Sequence, residues 1–162
     1  MAEILEYDKI FYNNFEPKLT HRFIMEVAGI ESFLIKTADR PSLESNKVTL
    51  DHINVQRYIK GKTNWSDITI TLYDAIVPSG AQQVMNWVRL SHESITGRDG
   101  YADMYKKDLD FFSLGPVGDK IEQWKLKGAF ILNANFGNMD WSSDDPLSIE
   151  LTLSYDYAIL EY

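Results

Sequence analysis

Histidine is the side chain best suited to proton transfer or metal binding near neutral pH, and the chain has three, His21, His52 and His92. The surrounding sequence places them at the start of a strand, in a polar segment and in a helix. No two of them lie at the spacing that metal ligands need. The chain has no cysteine, so a disulfide or a cysteine-ligated metal is excluded. We therefore predict ordinary structural or surface roles for the histidines and no metal site.

Two groups of acids could bind a cation or supply paired carboxylates. They are Asp108 with Asp110, and the cluster Asp140, Asp144 and Asp145. The cluster lacks the central glycine of a calcium loop, and Glu150 is at the wrong spacing to complete one. Glycosidase chemistry needs two carboxylates across a cleft, and nothing in the sequence places a pair in that way. A solvated turn is the better interpretation of the cluster.

No other motif supplies a catalytic group. The sequence has no glycine-rich phosphate loop, no nucleophile elbow and no cysteine–histidine pair. Ser79 is better explained as a helix cap than as a nucleophile. Asn64-Trp65-Ser66 matches a glycosylation sequon, which we treat as coincidence because the first residues do not resemble a secretory signal. The sequence predicts a protein that is not an enzyme and has no cofactor.

Composition favours one folded domain spanning 1–162. Hydrophobic residues make up 44% of the 162 residues, and 13% are aromatic, which favours β structure. A formal net charge of -8 argues against a protein that grips nucleic acid through its phosphates. No apolar run is long enough to span a bilayer, so we expect no stable membrane insertion and a protein made in a cytoplasm.

The clearest structural pattern is the stretch Pro146 to Tyr157, PLSIELTLSYDY. Its apolar and polar side chains alternate strictly, which predicts one long strand with a buried face and a wet face. The apolar set is Leu147, Ile149, Leu151, Leu153, Tyr155 and Tyr157. The polar set is Ser148, Glu150, Thr152, Ser154 and Asp156. So long a strand needs a partner to cover its edge or a larger closed sheet.

The remaining pattern predicts more strands and one helix. Residues 21–28 and 31–37 read as a tight hairpin around Gly29, and 66–73, 105–114 and 120–133 read as strands. In the 120–133 strand, Trp124, Leu126, Gly128, Phe130 and Leu132 are expected on one face. A helix is predicted at about 79–96, with a capping box from Ser79 to Gln82 and Gly97 after its end. The fold class is mainly β, with one α-helix packed on a sheet.

Two segments fit this body less well. Residues 1–20 form an arm that carries the aromatic residues Tyr7, Phe11, Tyr12 and Phe15. Residues from about 41 to 64 show interrupted strand patterns and many polar side chains, so we predict a projecting loop or hairpin. Long excursions of this kind tend to be functional.

Several stretches in their order resemble the tail tube protein family of contractile-tailed bacteriophages. RFIMEVAGIESFLIKTADRPSLESNKV looks like the family's opening hairpin and A-x-x-x-P turn, and VQRYIKGKTNWSDITITLYD like its basic segment followed by a T-x-T strand. QQVMNWV is similar to its helix, WKLKGAFILNA to its K-G strand, and DPLSIELTLSYDYAILEY to its closing strand. The resemblance covers roughly 20–158. The family's proline soon after Lys127-Gly128 is replaced by Ala129-Phe130, which predicts a strand that runs on further.

This resemblance implies a virion structural protein of the phage tail, assembled in the bacterial host cytoplasm. Six copies would form a ring, and strands from all six would join into one ring-shaped barrel. Rings would stack on each other into a tube, with sheath protein, a baseplate or tube initiator and a tail terminator as partners. DNA would pass through the lumen without specific binding. The fold is similar to that of the type VI secretion tube protein.

The resemblance also assigns two candidate surfaces. The lumen-facing candidates are Asp67, Thr69, Thr71, Glu150, Thr152, Ser154 and Asp156. The candidates for contact between subunits or rings are Leu43, Val48, Ile53, Val55, Arg57, Tyr58, Ile59, Lys60 and Lys62. A mostly acidic bore would repel phosphates and let DNA slide. Lys125 and Lys127 would pair with acids on adjacent strands or subunits.

Three other functions stay open at this point. The chain could be a tube subunit of a phage-like contractile injection or type VI secretion system. It could be a monomeric β-barrel that binds a small apolar ligand in its interior. A β-sandwich hydrolase is a weaker alternative because no catalytic set is placed. A tube initiator would be expected to carry an extra domain.

Overall fold

The computed structural model describes residues 15–162, and the predicted arm at 1–20 therefore lies mostly outside the described residues. Turns and coil connect nine strands and two helices among these residues. The strands are β1 Phe23–Val27, β2 Ile35–Ala38, β3 Leu43–His52, β4 Val55–Trp65, β5 Ile68–Tyr73, β6 Lys107–Leu114, β7 Lys120–Asn135, β8 Ser148–Ser154 and β9 Tyr157–Leu160. The helices are α1 Gly80–Ser91 and α2 Ala102–Tyr105, and a 3-10 turn spans Ser32–Leu34. The predicted class, mainly β with one main helix, is confirmed.

Seven strands form one antiparallel sheet, which with α1 and α2 we call the body. The strand order is β1-β6-β7-β8-β5-β2, and β9 pairs with β7. The long strand β7 belongs to two halves of the sheet, because its first part pairs with β6 and β9 and its last part with β8. We call these the β6 half, which includes β1 and β9, and the β8 half, which includes β5 and β2.

The sheet curls around a single core but is not closed within one chain. Strands β1 and β2 lie at opposite ends of the strand order, yet the connection 28–34 can span at most about 25 Å. The sheet must therefore bend so that its two ends approach. The predicted hairpin of 21–28 with 31–37 is wrong, since β1 pairs with β6 and β2 with β5. Gly29, with φ of 91°, turns the chain between the two ends of the sheet.

One contiguous buried cluster contains side chains from both halves of the sheet and from α1. Its members are Met25, Val27, Ile30, Ile68, Ile70, Leu72, Val84, Trp87, Leu109, Phe111, Leu126, Ala129, Ile149, Leu151, Leu153 and Tyr155. Alternation along β5 and β8 supplies six of these aliphatic side chains, as the sequence predicts. Burial of this apolar surface is the main force that holds the sheet in its curled form.

The predicted long strand 146–157 is divided into β8 and β9, and the division lies opposite Gly128 of β7. Both strands follow the same edge of β7, and the break at Tyr155–Asp156 lies beside a register shift in β7. Gly128 has φ of 65°, and a Cβ there would lie 2.2 Å from an Asp156 carboxylate oxygen. The positive φ favours glycine, and a Cβ at this position would have to displace the Asp156 carboxylate. Tyr157 consequently starts β9 and is exposed, contrary to the predicted buried face.

Two register shifts also change which residues of β7 face inward. One lies at Gly128 and the other between Ile131 and Asn133. Ala129 is buried, whereas Leu132 is largely exposed, so the predicted single face from Trp124 to Leu132 is wrong beyond Leu126. The strand does continue to Asn135, as the absence of the family's proline predicts.

Helix α1 begins where its cap predicts and ends earlier. The Ser79 hydroxyl accepts a hydrogen bond from the Gln82 backbone N–H at 3.4 Å. Val84 and Trp87 are buried, and the Trp87 indole donates to the Tyr105 carbonyl at 2.8 Å. The helix ends at Ser91 rather than near 96, and Ile95 is therefore exposed in a turn. In the part of the chain that is described, no helix has the length and apolar character to cross a bilayer.

Candidate functional site

The most prominent feature outside the body is the projecting hairpin, formed by β3 and β4. These strands pair with each other and with no other described strand. β3 has 10 residues and is about 33 Å long at the usual rise. Its register runs from Leu43 opposite Trp65 to His52 opposite Val55, and Ile53 and Asn54 form the tip. The predicted excursion of 41–64 is thus a long two-stranded ribbon.

The projecting hairpin has one apolar face and one polar face. Directly paired residues share a face, so Val48 with Ile59, Leu50 with Arg57 and His52 with Val55 lie on one side, which is apolar except for Arg57 and His52. The opposite side carries the pairs Lys47 with Lys60, Thr49 with Tyr58 and Asp51 with Gln56. Every residue of β3 is exposed. A two-stranded ribbon with an uncovered apolar face is marginally stable alone and is suited to a partner surface.

The tip residue Ile53 combines full exposure with backbone strain. Its φ is 47°, a left-handed conformation that is rare for a β-branched residue. Asn54 beside it is the turn residue that the sequence indicates. An isoleucine at this position costs about 1–2 kcal/mol relative to glycine. A strained, fully exposed apolar side chain favours a contact outside the chain.

The projecting hairpin is basic. It carries Lys47, Arg57, Lys60 and Lys62 against Glu44 and Asp51. The Lys47 ammonium lies 4.4 Å from the centre of the Tyr58 ring. Among the ion pairs between described residues, none includes a side chain of this hairpin. Within the part of the chain that the structure describes, the positive charge of the hairpin thus has no acidic partner.

A buried carboxylate, Glu122, ties down the root of the projecting hairpin. Glu122 is only 4% exposed, whereas the side chains of its partners Lys18 and Arg40 are about half exposed. Both partners donate hydrogen bonds to the Glu122 carboxylate, and the distance from Arg40 is 2.5 Å. The Trp124 indole donates to the same carboxylate at 2.6 Å. Burial raises the pKa of Glu122, but the hydrogen bonds from Lys18 and Trp124 and the charge of Arg40 outweigh burial. The pKa of Glu122 therefore lies below its ordinary value.

We call these four residues the Glu122 cluster, and the sequence search missed it. The signal was present, because Glu122 shares the alternation phase of Trp124 and Leu126, which predicts an inward-facing acid. An inward acid requires cationic partners. Those partners lie 82 and 104 residues away in sequence, so their identity depends on the fold.

The lumen candidates fall largely on one surface, the outer face of the β8 half. Thr69 pairs with Thr152, and Thr71 pairs with Glu150, while Ser154 follows on the same side of β8. Neighbouring strands add Thr37, Asn133 and Asn135 to these rows. We call this surface the hydroxyl face, because threonine, serine and asparagine predominate among these eight residues. The same rows also carry Phe130 and Tyr73, and the Lys36 ammonium lies 5.4 Å from the centre of the Tyr73 ring.

Two lumen candidates lie beside this face rather than on it. Asp67 precedes β5, and Asp156 occupies the break between β8 and β9. The Asp156 carboxylate accepts from Lys106 at 2.8 and 3.0 Å. Asp156 is thus part of an ion pair at the break in the strand.

The outer face of the β6 half is instead covered by charged side chains that contact each other, and we call it the charged face. Lys125 lies 2.8 Å from Glu161, and Lys127 lies 2.7 Å from Asp108. These hydrogen bonds raise the pKa of both lysines, and those from Lys127 and the Gly128 N–H lower the pKa of Asp108. Pairing with acids on adjacent strands is therefore found within one chain.

The residues first considered for chemistry remain dispersed. Among residues 15–162, no three histidine, aspartate or glutamate side chains are grouped as metal ligands would be. His92 contacts Asp99 at 2.7 Å, on the opposite side of a turn after α1. Asp140 accepts from the backbone and hydroxyl of Ser142, which lowers the pKa of Asp140. These contacts describe turns and caps.

Comparison with known proteins gives similarity in structure alone. No protein-family model and no curated protein sequence matches the chain. A chain of the anti-feeding prophage tube-terminating cap superposes with a TM-score of 0.75 at 16% identity, covering 97% of this chain and 99% of that one. A chain of the sheath/tube terminator of an extracellular contractile injection system gives 0.74 at 19% identity, with 92% and 99% covered. A chain from the sheath-tube complex of that system gives 0.67 at 19% identity, with 98% and 99% covered.

The chain therefore has the fold of tail tube-like proteins, as the resemblance in sequence predicts. The similar structures come from cap, terminator and sheath-tube assemblies.

Proposed function

We propose that this chain is a subunit of the tube of a contractile tail or injection particle. Six copies form a ring, their sheets join into a barrel around a lumen, and the rings stack into a hollow conduit. In a phage tail the conduit delivers DNA into the host. The single observation that carries the proposal is the projecting hairpin, a long amphipathic ribbon on a tube-like fold that has no partner in its own body.

The open sheet supports joining across subunits. The strand order ends at β1 and β2, which do not pair with each other. Free edges next to apolar side chains favour pairing with another chain. A ring that pairs these edges removes the exposed backbone groups, which one chain of this size does not do around a wide lumen.

The hydroxyl face suits the lining of a conduit better than the charged face does. Threonine, serine and asparagine side chains offer a wetted surface, and the acid Glu150 repels phosphate. The basic Lys125 and Lys127 belong to the charged face and are already paired with acids. We therefore assign the hydroxyl face to the lumen and the charged face to the outside of the barrel.

Negative-stain electron microscopy of the purified protein tests the proposal, with and without a cognate baseplate as nucleator. We expect sixfold rings or hollow striated tubes. Small featureless particles that persist with the nucleator would contradict it. Tubes would also allow the lumen assignment to be tested with single cysteines at Thr152 and Lys125. A maleimide reagent too large to enter the bore should label the Lys125→Cys tube and spare the Thr152→Cys tube.

The proposal has a second form, in which the tube belongs to an injection particle rather than to a phage tail. The three similar structures named above come from an extracellular contractile injection system or an anti-feeding prophage, which favours the injection-system alternative over a phage tail. Partners would then be the sheath, baseplate and terminator of such a particle. Protein rather than DNA in the lumen of isolated particles, measured by mass spectrometry and nuclease protection, would distinguish the two.

A tube-terminating cap is a second candidate role, favoured by the TM-scores of 0.75 and 0.74 with cap and terminator chains. A terminator should form one ring and stop growth, whereas a tube subunit should polymerise. Adding the purified protein to growing tubes separates the roles. Longer tubes support a tube subunit, and shorter, capped tubes support a terminator.

A further inference from the structure

The two ends of the curled sheet face each other across a slot. Strands β1 and β2 run in opposite directions and do not pair with each other. A cavity of about 200 Å³ lies between them, lined by Phe23 of β1 and Ala38 of β2 among others. Phe23 stacks on Phe111 of β6, with ring centres 5.9 Å apart. Contacts other than strand pairing must therefore hold the body together at this slot.

Each end of the slot is closed in a different way. At one end the connection 28–34 crosses from β1 to β2, and the Lys107 ammonium donates to the Ala28 carbonyl at 2.7 Å. At the other end the Glu122 cluster crosses, since Lys18 precedes β1 and Arg40 follows β2. The first closure is a covalent chain, whereas the second depends on one buried carboxylate.

The two cations use different oxygens of that carboxylate. Lys18 donates to Oε2, whereas Arg40 and the Trp124 indole donate to Oε1. Hydrogen bonds to an ionised group are roughly twice as strong as neutral ones, so the charge of Glu122 holds both cations. Removal of one cation leaves the other with its own oxygen, but removal of the carboxylate releases both.

Arg40 lies in the short connection that carries the projecting hairpin. Before it, the Asp39 N–H donates to the Thr69 carbonyl at 3.1 Å, and the Asp39 carboxylate accepts from the Thr69 N–H at 3.1 Å. After it, the Ser42 carbonyl is already hydrogen-bonded to the other strand of the hairpin. Arg40 and Pro41 alone join these two fixed points. Short connections of this kind act as hinges.

The other strand of the hairpin meets the body through a contact between rings. The Trp65 ring, at the end of β4, lies 6.1 Å from the Tyr155 ring with the two planes tilted by 48°. A single ring contact fixes a direction less sharply than hydrogen bonds to a charged group do. The direction of the projecting hairpin therefore depends on how Arg40 is held.

We propose that Glu122 is a positioning residue that fixes the direction of the projecting hairpin through Arg40 and holds the N-terminal segment 15–22 through Lys18. Loss of the carboxylate releases both segments while the body stays folded, because the buried cluster includes neither Glu122 nor its two cations. The inference concerns the unassembled chain and does not rest on the proposed function. In the proposed tube, a hairpin of fixed direction would lose less conformational freedom on assembly.

Distance measurements by pulsed electron paramagnetic resonance test the inference on the unassembled full chain, which has no cysteine of its own. Spin labels at Asn54→Cys and Gln82→Cys report the distance from the hairpin tip to α1. Labels at Phe15→Cys and Gln82→Cys report the distance from the N-terminal segment to α1. Because β3 is about 33 Å long, a rotation of about 20° at its root displaces the tip by about 10 Å. Both distances should have narrow distributions in the labelled parent chain.

Three variants should give three different patterns. Arg40→Ala should broaden the hairpin distance alone, by about 10 Å for a rotation of that size. Lys18→Ala should broaden the N-terminal distance alone, and Glu122→Leu should broaden both. Leucine has a volume similar to that of glutamate, and replacing buried ion pairs by apolar residues often leaves the fold intact. If Glu122→Leu does not fold, the Lys18→Ala/Arg40→Ala double variant tests the same release and should broaden both distances.

Two control variants separate release from a general loss of stability. Lys127→Ala removes a 2.7 Å ion pair on the charged face, and Gly97→Ala strains a left-handed turn after α1, where φ is 69°. Neither control should change either distance. Arg40→Lys keeps a cation at the hinge and should keep the hairpin distance narrow.

The outcomes are independent of tube formation. A hairpin distance that stays narrow in Arg40→Ala and in Glu122→Leu would overturn the inference, as would equal broadening in Gly97→Ala. Any other assignment of the three variants to the two distances would overturn it as well. These results would leave the proposed tube function standing, because rings and tubes are observed separately by electron microscopy.

Discussion

The body and the projecting hairpin are made from similar alternating strands, but they differ in where their apolar side chains lie. In the body, Leu151 of β8 is 1% exposed and belongs to the buried cluster. In the hairpin, Leu50 of β3 is 40% exposed and no described element covers it. The body therefore buries its own apolar side chains, whereas in the proposed tube the hairpin would gain stability from the chain that covers it. Under that proposal, the body of the sequence serves folding and the hairpin serves assembly.

The largest expected effect compares the same substitution in the two regions. Leu151→Ala removes buried contacts and should lower the free energy of unfolding by about 2–5 kcal/mol. Leu50→Ala should change it by less than about 0.5 kcal/mol, because that side chain is already half in water. Urea denaturation of the unassembled protein measures both. Leu50→Ala should still reduce tube formation in electron microscopy, and a large loss of stability from Leu50→Ala would contradict the separation.

Glycines in the body test how tightly its strands approach each other. Gly128→Ala should lower the free energy of unfolding by about 1–3 kcal/mol, since it combines a left-handed φ with displacement of the Asp156 carboxylate from its ion pair with Lys106. Gly118→Ala is the matched control, with φ of 85° and open space around its Cβ, and should cost about 1–2 kcal/mol. Thermal unfolding of the two variants gives the difference. Equal losses of stability in the two variants would mean that the Asp156 carboxylate does not hinder a side chain at position 128.

The Glu122 cluster joins the two regions, and its contribution should depend on pH. Glu122→Gln should cost about 1–2 kcal/mol near neutral pH, because Lys18 and Arg40 stay half in water. The pKa of Glu122 is lowered from its ordinary 4.5, so its stabilisation is complete above that value and is lost as pH falls through the lower folded value. Denaturation from pH 7 to 2 should show the two proteins converging in acid. A constant difference would refute a charged role for Glu122.

The smallest expected effect is at the hairpin tip. Ile53→Asn relieves the left-handed strain and should stabilise the unassembled protein by no more than about 1 kcal/mol, since asparagine tolerates this conformation. The same change removes the apolar tip and should weaken assembly. Measuring unfolding and tube yield together checks both directions. A variant that assembles as well as the original chain would show that the strained isoleucine serves no contact.

Local patterns predicted the parts of the fold that depend on neighbouring residues. Alternation identified β5 and β8, and the Ser79 cap placed the start of α1. Pairing between distant strands was harder to predict from the sequence. The residues of β1 and β2 predict a hairpin, although each strand pairs with a distant one. Gly128 broke the last strand through a backbone conformation that composition does not reveal.

The candidate surfaces were predicted unevenly for the same reason. The excursion at 41–64 was visible because its strand pattern is interrupted and polar, and the structure gives it as a ribbon. The division of that ribbon into an apolar and a polar face depends on register, as does the separation of the hydroxyl face from the charged face. Glu122 could have been found as an inward acid, but Arg40 and Lys18 could not have been assigned to it from sequence alone.

Hydrogen exchange of the unassembled and assembled protein tests most directly whether the hairpin is completed by another copy. Amides of β3 and β4 should exchange quickly before assembly and become protected in the tube, while amides of β5, β7 and β8 should be slow in both states. Hairpin amides that are equally protected before assembly, or that stay unprotected within tubes, would contradict the account.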